Sequence, residues 1–269
     1  MKGIYGWTAT AVLMGGILGS VAALTGCKSD DAVKHNEGTA AERPAAPAAP
    51  LDPATLGAVS GAIRFAGKAP APVKIDMSMD PVCSITGGDN FAEQYAVHDG
   101  KMANVYVYIK SGPPAAMSAT APTSAPVVLD QVGCKYVPHV IALMRGGSVE
   151  FRNSDGTMHN IHTLPTAANS AAIDISQAPK GAPQVKQFNQ AEVMIPVRCN
   201  NHPWMNAFIN VSATPFFAVT AGDGKFSISG LPPGTYTLAA VHEKMGEQTM
   251  TVTIEPKGTA RADFSYSAK

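Results

Sequence analysis

The sequence predicts an all-β fold built from sandwiches or barrels. From residue 57 onward, apolar residues do not recur at the i, i+3, i+4 spacing of a helix over any useful window. Short runs rich in β-branched and aromatic residues alternate instead with Gly, Pro, Asn and Asp. Many short strands separated by frequent turns are typical of a β-sandwich or a barrel.

The N-terminus, residues 1–26, is typical of an export signal. It has one charged residue, Lys2, and then an apolar run that is too short for an ordinary membrane span of about 20 residues. The run ends in "LTGC", which resembles the bacterial lipobox, so Cys27 is expected to be lipidated and to start the mature protein. A plain secretory signal is the alternative. Lys28 rather than Asp follows, which favours anchoring in the outer membrane, facing the periplasm.

A flexible tether is predicted for residues 27–56, which are rich in Ala and Pro and lack apolar periodicity. The stretches 111–126 and 166–184 are predicted to be long loops. The predicted strands are 58–66, 104–110, 126–132, 139–145, 148–153, 159–164, 192–198, 207–212, 216–220, 225–229, 235–242 and 249–255.

The four cysteines divide into three roles. With Cys27 assigned to lipid, Cys83 and Cys134 are predicted to form a disulfide, because an exported protein meets an oxidising compartment. Two buried free thiols are the alternative. Cys199 is then left beside a histidine and a methionine, where a bound metal would protect it from oxidation.

Charge is balanced, with 20 Lys and Arg against 20 Asp and Glu. A nucleic-acid-binding protein is usually basic, so no nucleic-acid partner is predicted. The neutral balance also argues against a partner that is steered strongly by charge.

The tail contains a "DGKF" turn and an "LPPGTY" turn between alternating strands. It resembles the regulatory-like β-sandwich of carboxypeptidases, which has a transthyretin-like fold. The first two strands of that pattern are similar to "GAVSGAIRFAGKAP" and "ANVYVYI", far upstream of the tail. The resemblance implies a discontinuous sandwich, 57–126 and 214–269, with residues 127–213 inserted as a second sandwich. Two consecutive domains, 57–213 and 214–269, are the alternative.

Two stretches of the insert supply candidate metal ligands. The first, "GGSVEFRNSDGTMHNIHTLP", contains His159, and the second, "EVMIPVRCNNHPWMNAFINV", contains Cys199, His202 and Met205. Thiolate and thioether sulfur select copper(I), and imidazole suits copper in both oxidation states. Two His and one Cys with a weak axial Met form a blue-copper electron-transfer site. We therefore expect one type 1 copper ion.

The segment 127–213 resembles a cupredoxin, the plastocyanin and amicyanin family of Greek-key sandwiches. "CNNHPWM" is similar to the short amicyanin-type ligand loop. The resemblance implies that the four residues named above bind copper and that Asn160 steadies the thiolate loop by hydrogen bonding. The chain departs from the family just before the cysteine. There "IPVRC" replaces an aromatic strand and puts Arg198 next to the ligand.

Further histidines and one tryptophan need an interpretation. His139 and His162 lie near one end of the predicted sandwich, so a second, weaker copper site is a hypothesis. His162 follows the ligand histidine by three positions and should point to the opposite face of the strand. His242 at a strand end is interpreted as structural. Trp204 is interpreted as cover for the copper loop or as ordinary core.

The predicted function is that of a lipid-anchored, periplasmic carrier of single electrons. Its partner would be a periplasmic redox protein such as a c-type cytochrome. A copper carrier, assembly factor or sensor would use the same ligands and is the alternative. The sequence has neither a His-Glu-x-x-His nor a Gly-x-Ser-x-Gly motif, so no enzyme activity is predicted. A surface adhesion sandwich is disfavoured because all four ligands are present.

Overall fold

A computed structural model describes residues 52–122 and 124–267, and strands make up most of its regular structure. The signal, Cys27 and most of the predicted tether lie outside the described residues. The strands are β1 (Gly57–Phe65), β2 (Val97–His98), β3 (Lys101–Met102), β4 (Tyr106–Ser111), β5 (Val127–Gln131), β6 (Tyr136–Val137), β7 (Val140–Met144), β8 (Ser148–Asn153), β9 (His159–Thr163), β10 (Asp174–Gln177), β11 (Gln184–Gln187), β12 (Glu192–Arg198), β13 (Asn206–Ser212), β14 (Phe217–Val219), β15 (Lys225–Leu231), β16 (Gly234–His242), β17 (Gly246–Ile254), β18 (Thr259–Arg261) and β19 (Phe264–Tyr266). Two short helices accompany them, α1 (Pro81–Thr86) and α2 (Pro114–Met117).

Two sheets form the first sandwich. One runs in the order β15-β1-β3-β2, with β18 and β19 also paired to β1, and the other runs β14-β4-β16-β17. Alternate residues of β15 point inward, so Phe226 and Ile228 are buried while their neighbours are exposed. They share one apolar cluster with Ile109 of β4 and Leu238 of β16. Period-two burial on facing sheets is what makes this pair a sandwich.

The second sandwich is built from the middle of the chain. Its sheets run β10-β9-β12-β13-β7 and β11-β8-β5-β6. Ile161 and Val197 of the first sheet share a core with Leu129 and Phe151 of the second. The parallel pairing of β13 with β7 and the antiparallel pairing of β12 with β9 bring the predicted ligand loop to one end of this core.

The first sandwich draws on two separate stretches of chain. β1 pairs with β15, and β4 pairs with β14 and β16, so strands from before residue 112 join strands from after residue 216. Two consecutive domains would not allow these pairings. All described residues nevertheless belong to one compact unit.

The segment around α1 departs from the expected division of the chain. The sequence predicts that this segment belongs to the first sandwich, but Ile75, Met77 and Cys83 pack against the second. A disulfide joins Cys83 to Cys134, as predicted. The side chain of Asp80 caps the helix N-terminus and turns the chain so that Cys83 is buried. The segment from Ile75 to Cys83 therefore belongs with the second sandwich.

The all-β prediction is confirmed, and each predicted strand is present within a few residues. The prediction of two unbroken loops is wrong. β10 and β11 lie in or at the end of 166–184, and α2 lies in 111–126. β10 and β11 pair on one side only, at sheet edges, so they carry polar residues and little apolar alternation. The other strands that were not predicted, β2, β3, β6, β18 and β19, have only two or three residues each. Within the described residues, neither helix is long and apolar enough to cross a bilayer.

Candidate metal centre

The four predicted ligands lie at one end of the second sandwich. His159 is the first residue of β9, and Cys199 follows the last residue of β12 directly. These strands are antiparallel neighbours with Arg198 opposite His162, so both ligand positions reach the same end of the sheet. The loop from β12 to β13 then supplies the other two.

Backbone hydrogen bonds close that loop tightly. The amide of Met205 donates to the carbonyl of His202 at 2.9 Å, and the amide of Cys199 donates to the carbonyl of Met205 at 3.3 Å. Pro203 restricts the backbone between them. Three side chains of this loop are therefore fixed in direction by the local fold.

Three ligand atoms converge on one buried point. Nδ1 of His159 lies 2.9 Å from Nδ1 of His202, which lies 3.5 Å from Sγ of Cys199. All three donor atoms lie within 4.8 Å of one another. A metal–nitrogen bond is about 2.0 Å, so one ion can reach two nitrogens up to about 4 Å apart. The separations fit a single ion bound by all three side chains.

Burial around this point is almost complete. The exposed fractions are 0% for His159, 4% for Cys199, 3% for His202 and 1% for Met205. Met205 also contributes to the apolar core of the second sandwich. Such a site excludes bulk water from the donor atoms.

Both histidines are held through their outer nitrogens. Nε2 of His159 lies 2.9 Å from Oδ2 of Asp155, and Nε2 of His202 lies 3.0 Å from Oδ2 of Asp80. A carboxylate accepts hydrogen bonds, so each Nε2 carries a proton and each Nδ1 is directed to the shared point. Burial lowers the pKa of His159, but hydrogen bonds to Asp155 and Cys199 outweigh it and raise the pKa to about 9.

Cys199 is held near its thiolate form. Burial raises its pKa, but hydrogen bonds from His159, from the amides of Asn160 and Asn201, and from His202 outweigh burial and lower the pKa to about 6. The thiolate is the form that binds metals. The thiolate and the two imidazole nitrogens that converge with it are donor types that suit copper.

Asn160 contacts the thiolate through its backbone. Its amide donates to Sγ of Cys199 at 3.3 Å, whereas its side chain donates to Oγ of Ser176 at 2.9 Å. Its carbonyl in turn accepts a hydrogen bond from the buried hydroxyl of Tyr136. The backbone of Asn160 is therefore fixed from both sides.

Trp204 and the disulfide cover His202. The indole ring lies 5.0 Å from the imidazole ring, and its Nε1 donates to the carbonyl of Cys134 at 3.1 Å. On another side, Sγ of Cys83 lies 3.9 Å from Nε2 of His202. Trp204 thus covers the ligand loop and packs against the core, which joins the two interpretations made from the sequence.

His139 and His162, the residues of the hypothetical second copper site, each contact other partners. His139 uses both ring nitrogens, contacting the carbonyl of Asn206 at 3.2 Å and Glu243 at 2.6 Å. His162 contacts Oδ1 of Asn200 at 2.8 Å. Among residues 52–122 and 124–267, neither belongs to a group of His, Cys, Asp or Glu that could share an ion. The register of β9 turns His162 away from the core, as the spacing predicted.

Sequence reasoning missed Asp80 and Asp155. Two further groups that could share an ion contain them, one with Cys83 and His202 and the other with Cys134 and His159. Both cysteines are in the disulfide, so these groups lack free thiols. Asp155 lies four positions before His159, and this spacing is only a weak indication that the two side chains are in contact. Asp80 is remote from every ligand in sequence and gives none.

A cleft of about 640 Å³ opens beside the ligand loop. Cys199, Asn200 and Pro203 line one side, and Lys244 from the first sandwich lines another. Asn200 and Pro203 are exposed. Asn200 directly follows Cys199 and Pro203 directly follows His202, so both are exposed neighbours of ligands in the loop.

Comparisons with known proteins give two partial likenesses. Residues 197–267 match the carboxypeptidase regulatory-like domain family. This match runs from the last two residues of β12 to β19 and includes the whole ligand loop, Cys199–Met205. A comparison with curated proteins gives no match.

Solved structures similar to the chain include copper proteins of the cupredoxin type. A copper-containing nitrite reductase from Thermus scotoductus SA-01 is 22% identical over 35% of this chain and 24% of that chain, with a TM-score of 0.31. A Cu(I) form of an amicyanin mutant is 22% identical over 39% of this chain and 98% of that chain, with a TM-score of 0.30. A purple cupredoxin from Nitrosopumilus maritimus is 21% identical over 32% of this chain and 99% of that chain, with a TM-score of 0.27. This chain therefore spans about a quarter of the reductase. At these TM-scores we draw no functional argument from the likeness.

Proposed function

We propose that the chain binds one type 1 copper ion at His159, Cys199, His202 and Met205 and carries single electrons. The observation that carries the proposal is the convergence of Nδ1 of His159, Nδ1 of His202 and Sγ of Cys199 within one buried site. Copper in such a site would supply a one-electron couple between Cu(I) and Cu(II).

The protein's own groups would supply rigidity. Closure of the loop by backbone hydrogen bonds fixes Cys199, His202 and Met205, and the sheet fixes His159. Both imidazoles are held at Nε2, so neither ring has to rotate when an electron arrives or leaves. Fast electron transfer requires that the ligands move little, and these contacts hold the four side chains in place.

The proposed role is that of an electron carrier and not of an enzyme. The four ligand side chains are at most 4% exposed, and Trp204 and the disulfide cover His202, so a substrate in the adjoining cleft would have little access to the donor atoms. Burial also disfavours the alternative of a copper carrier or sensor, because metal exchange needs access to the ligands. The same four residues would serve either role, so the experiment below has to separate them.

We also propose the cellular setting and the division of the chain. Cys27 would carry a lipid anchor, which would hold the protein in the periplasm with the outer membrane favoured. The partner would be a redox protein such as a c-type cytochrome, docking at the exposed side of the ligand loop near Asn200 and Pro203. The metal sandwich would consist of 127–213 with the α1 segment added, inserted between 57–126 and 214–269.

Metal analysis combined with electron transfer tests the function. The purified protein should bind one copper per chain, and His159→Ala should lose most of it. His162→Ala is the matched control on the same strand and should keep one copper. The reduced wild-type protein should then pass one electron to a c-type cytochrome in a stopped-flow experiment. If the bound copper instead passes to a chelator faster than the protein exchanges electrons, the protein would be a copper carrier.

A further inference from the structure

We propose that Asp80 and Asp155 are positioning residues that direct both ligand histidines and lower the reduction potential of the copper site. The inference rests on the proposed copper function and deepens it. It arises from one symmetrical feature. Each imidazole that faces the metal site with Nδ1 presents Nε2 to a carboxylate oxygen, at 2.9 Å for Asp155 and 3.0 Å for Asp80.

Asp80 is immobilised by four hydrogen-bond partners. Its Oδ1 accepts from the amide of Val82 at 2.7 Å and from the amide of Cys83 at 3.3 Å, which caps α1. Its Oδ2 accepts from Oγ1 of Thr157 at 2.8 Å and from Nε2 of His202. The side chain therefore reaches His202 from a fixed place, although it belongs to a segment far from the ligand in sequence.

Asp155 is held in a similar way. Its Oδ1 accepts from the amide of Gly133 at 2.7 Å, and its Oδ2 accepts from the amide of Cys134 at 2.8 Å and from Nε2 of His159. Its side chain is only 6% exposed. A carboxylate so buried acts on its neighbours with little screening by solvent.

The disulfide connects the two carboxylates. The amide of Cys83 donates to Asp80, and the amide of Cys134 donates to Asp155. The Cys83–Cys134 bond therefore joins the two backbone positions that hold the carboxylates. One covalent link thus braces both ligand histidines.

Two effects follow from general principles. A carboxylate that accepts from Nε2 fixes the ring and leaves Nδ1 as the metal-binding nitrogen, and it makes that nitrogen a stronger donor. Two fixed negative charges near the site also favour the more highly charged ion, Cu(II), over Cu(I). Both effects lower the potential.

The experiment measures the Cu(II)/Cu(I) midpoint potential of the copper-loaded full chain by optical redox titration. Loss of such a carboxylate typically costs 10- to 100-fold in metal affinity. We expect Asp80→Asn and Asp155→Asn each to weaken binding of Cu(II) relative to Cu(I) by about tenfold, which raises the potential by about 59 mV. Asp80→Ser keeps a helix cap but is too short to reach His202, so it should raise the potential as well.

Asp89→Asn is the matched control. It removes the same charge a few residues after α1, but Asp89 pairs with Lys74 at the surface and its side chain is 77% exposed. The potential should stay at the wild-type value. Competition with Cu(I) and Cu(II) chelators gives a second readout for any variant with a weak visible spectrum, and circular dichroism checks its fold.

The outcomes separate this inference from the proposed function. Unchanged potentials in folded Asp80→Asn and Asp155→Asn, or equal losses of Cu(I) and Cu(II) affinity, would overturn the role of the carboxylates while leaving the copper site intact. A wild-type protein that shows no thiolate-to-copper band would overturn the proposed function itself.

Discussion

At the scale of single residues, the metal site depends on where protons are held. His159 and His202 keep a proton on Nε2 because a carboxylate faces each ring, and Cys199 gives up its proton because donors surround the sulfur. An ion bound at this site would compete with protons for the same donor atoms. Metal uptake by this site therefore releases protons and should weaken in acid.

The buried environment of His242 controls whether its imidazole is protonated. It is 1% exposed, lies between the rings of Tyr95 and Tyr266, and has no partner for Nε2 among the described residues. Burial lowers its pKa from 6.5 to about 4, and the charge of Glu243 only partly opposes this. The folded protein thus keeps His242 neutral at a pH where the unfolded chain protonates it.

This pKa difference makes the stability of the folded protein depend on pH. Between about pH 6.5 and pH 4 the unfolded state binds more protons at this position, so stability falls as the pH falls. We expect His242 to account for on the order of 2–3 kcal/mol of that loss. In His242→Gln, urea unfolding of the metal-free protein should show a correspondingly flatter profile. His98→Gln, at an exposed hairpin position, should retain the wild-type profile; identical slopes in all three proteins would refute the assignment.

At the scale of elements, a helix cap and a disulfide hold the α1 segment on the second sandwich. The helix has six residues and would not form alone. Its stability comes from the Asp80 cap, from burial of Cys83 and from the covalent bond to Cys134. The cover over His202 therefore depends on this bond.

Removing the disulfide should have a measurable cost. It closes a loop with a sequence separation of 51 residues, and loop-closure entropy gives about 4 kcal/mol for such a loop. The double variant Cys83→Ala/Cys134→Ala should lose about 2–4 kcal/mol in urea unfolding of the metal-free protein. Adding a reductant should bring the wild type down to the same level. The free thiol supplies the control, because Cys199→Ala cuts no cross-link and should keep its sensitivity to reductant. A loss below about 1 kcal/mol would mean that packing alone holds the α1 segment.

At the scale of the whole molecule, a buried contact joins the two sandwiches. His139 precedes β7 of the second sandwich, and Glu243 follows β16 of the first. Their side chains are 4% and 5% exposed and meet at 2.6 Å. His139 also contacts the carbonyl of Asn206, the residue that follows ligand Met205. The first sandwich is thus linked to the end of the ligand loop.

A double-mutant cycle measures that link. His139→Ala and Glu243→Ala should each destabilise the protein, with a coupling free energy on the order of 1–3 kcal/mol, because removal of one partner leaves the other buried and unpaired. The exposed pair Lys110–Glu247 is the matched control and should couple by less than about 1 kcal/mol. Copper stoichiometry should remain one in His139→Ala. Additive effects at the buried pair would show that it does not connect the sandwiches.

The sequence predicts those parts of the molecule that depend on local patterns. Apolar alternation locates the strands, and the spacing of Cys199, His202 and Met205 identifies the loop that gathers the ligands. The strands β10 and β11 could not be predicted because they lie at sheet edges and show little apolar alternation. Asp80 escapes because its contact with His202 depends on the path of a segment that carries no periodicity. The pairing of His139 with Glu243 could not be predicted because it depends on how the two sandwiches pack against each other.

The central claim is that Cys199 binds copper as a thiolate together with two imidazoles. The optical spectrum of the copper-loaded, oxidised protein tests it most directly, with Cys199→Ser as the comparison. The wild type should show an intense visible thiolate-to-Cu(II) charge-transfer band, and the variant should lack it. Copper bound by the wild type without this band, or a band that survives in Cys199→Ser, would mean that Cys199 is not a copper ligand.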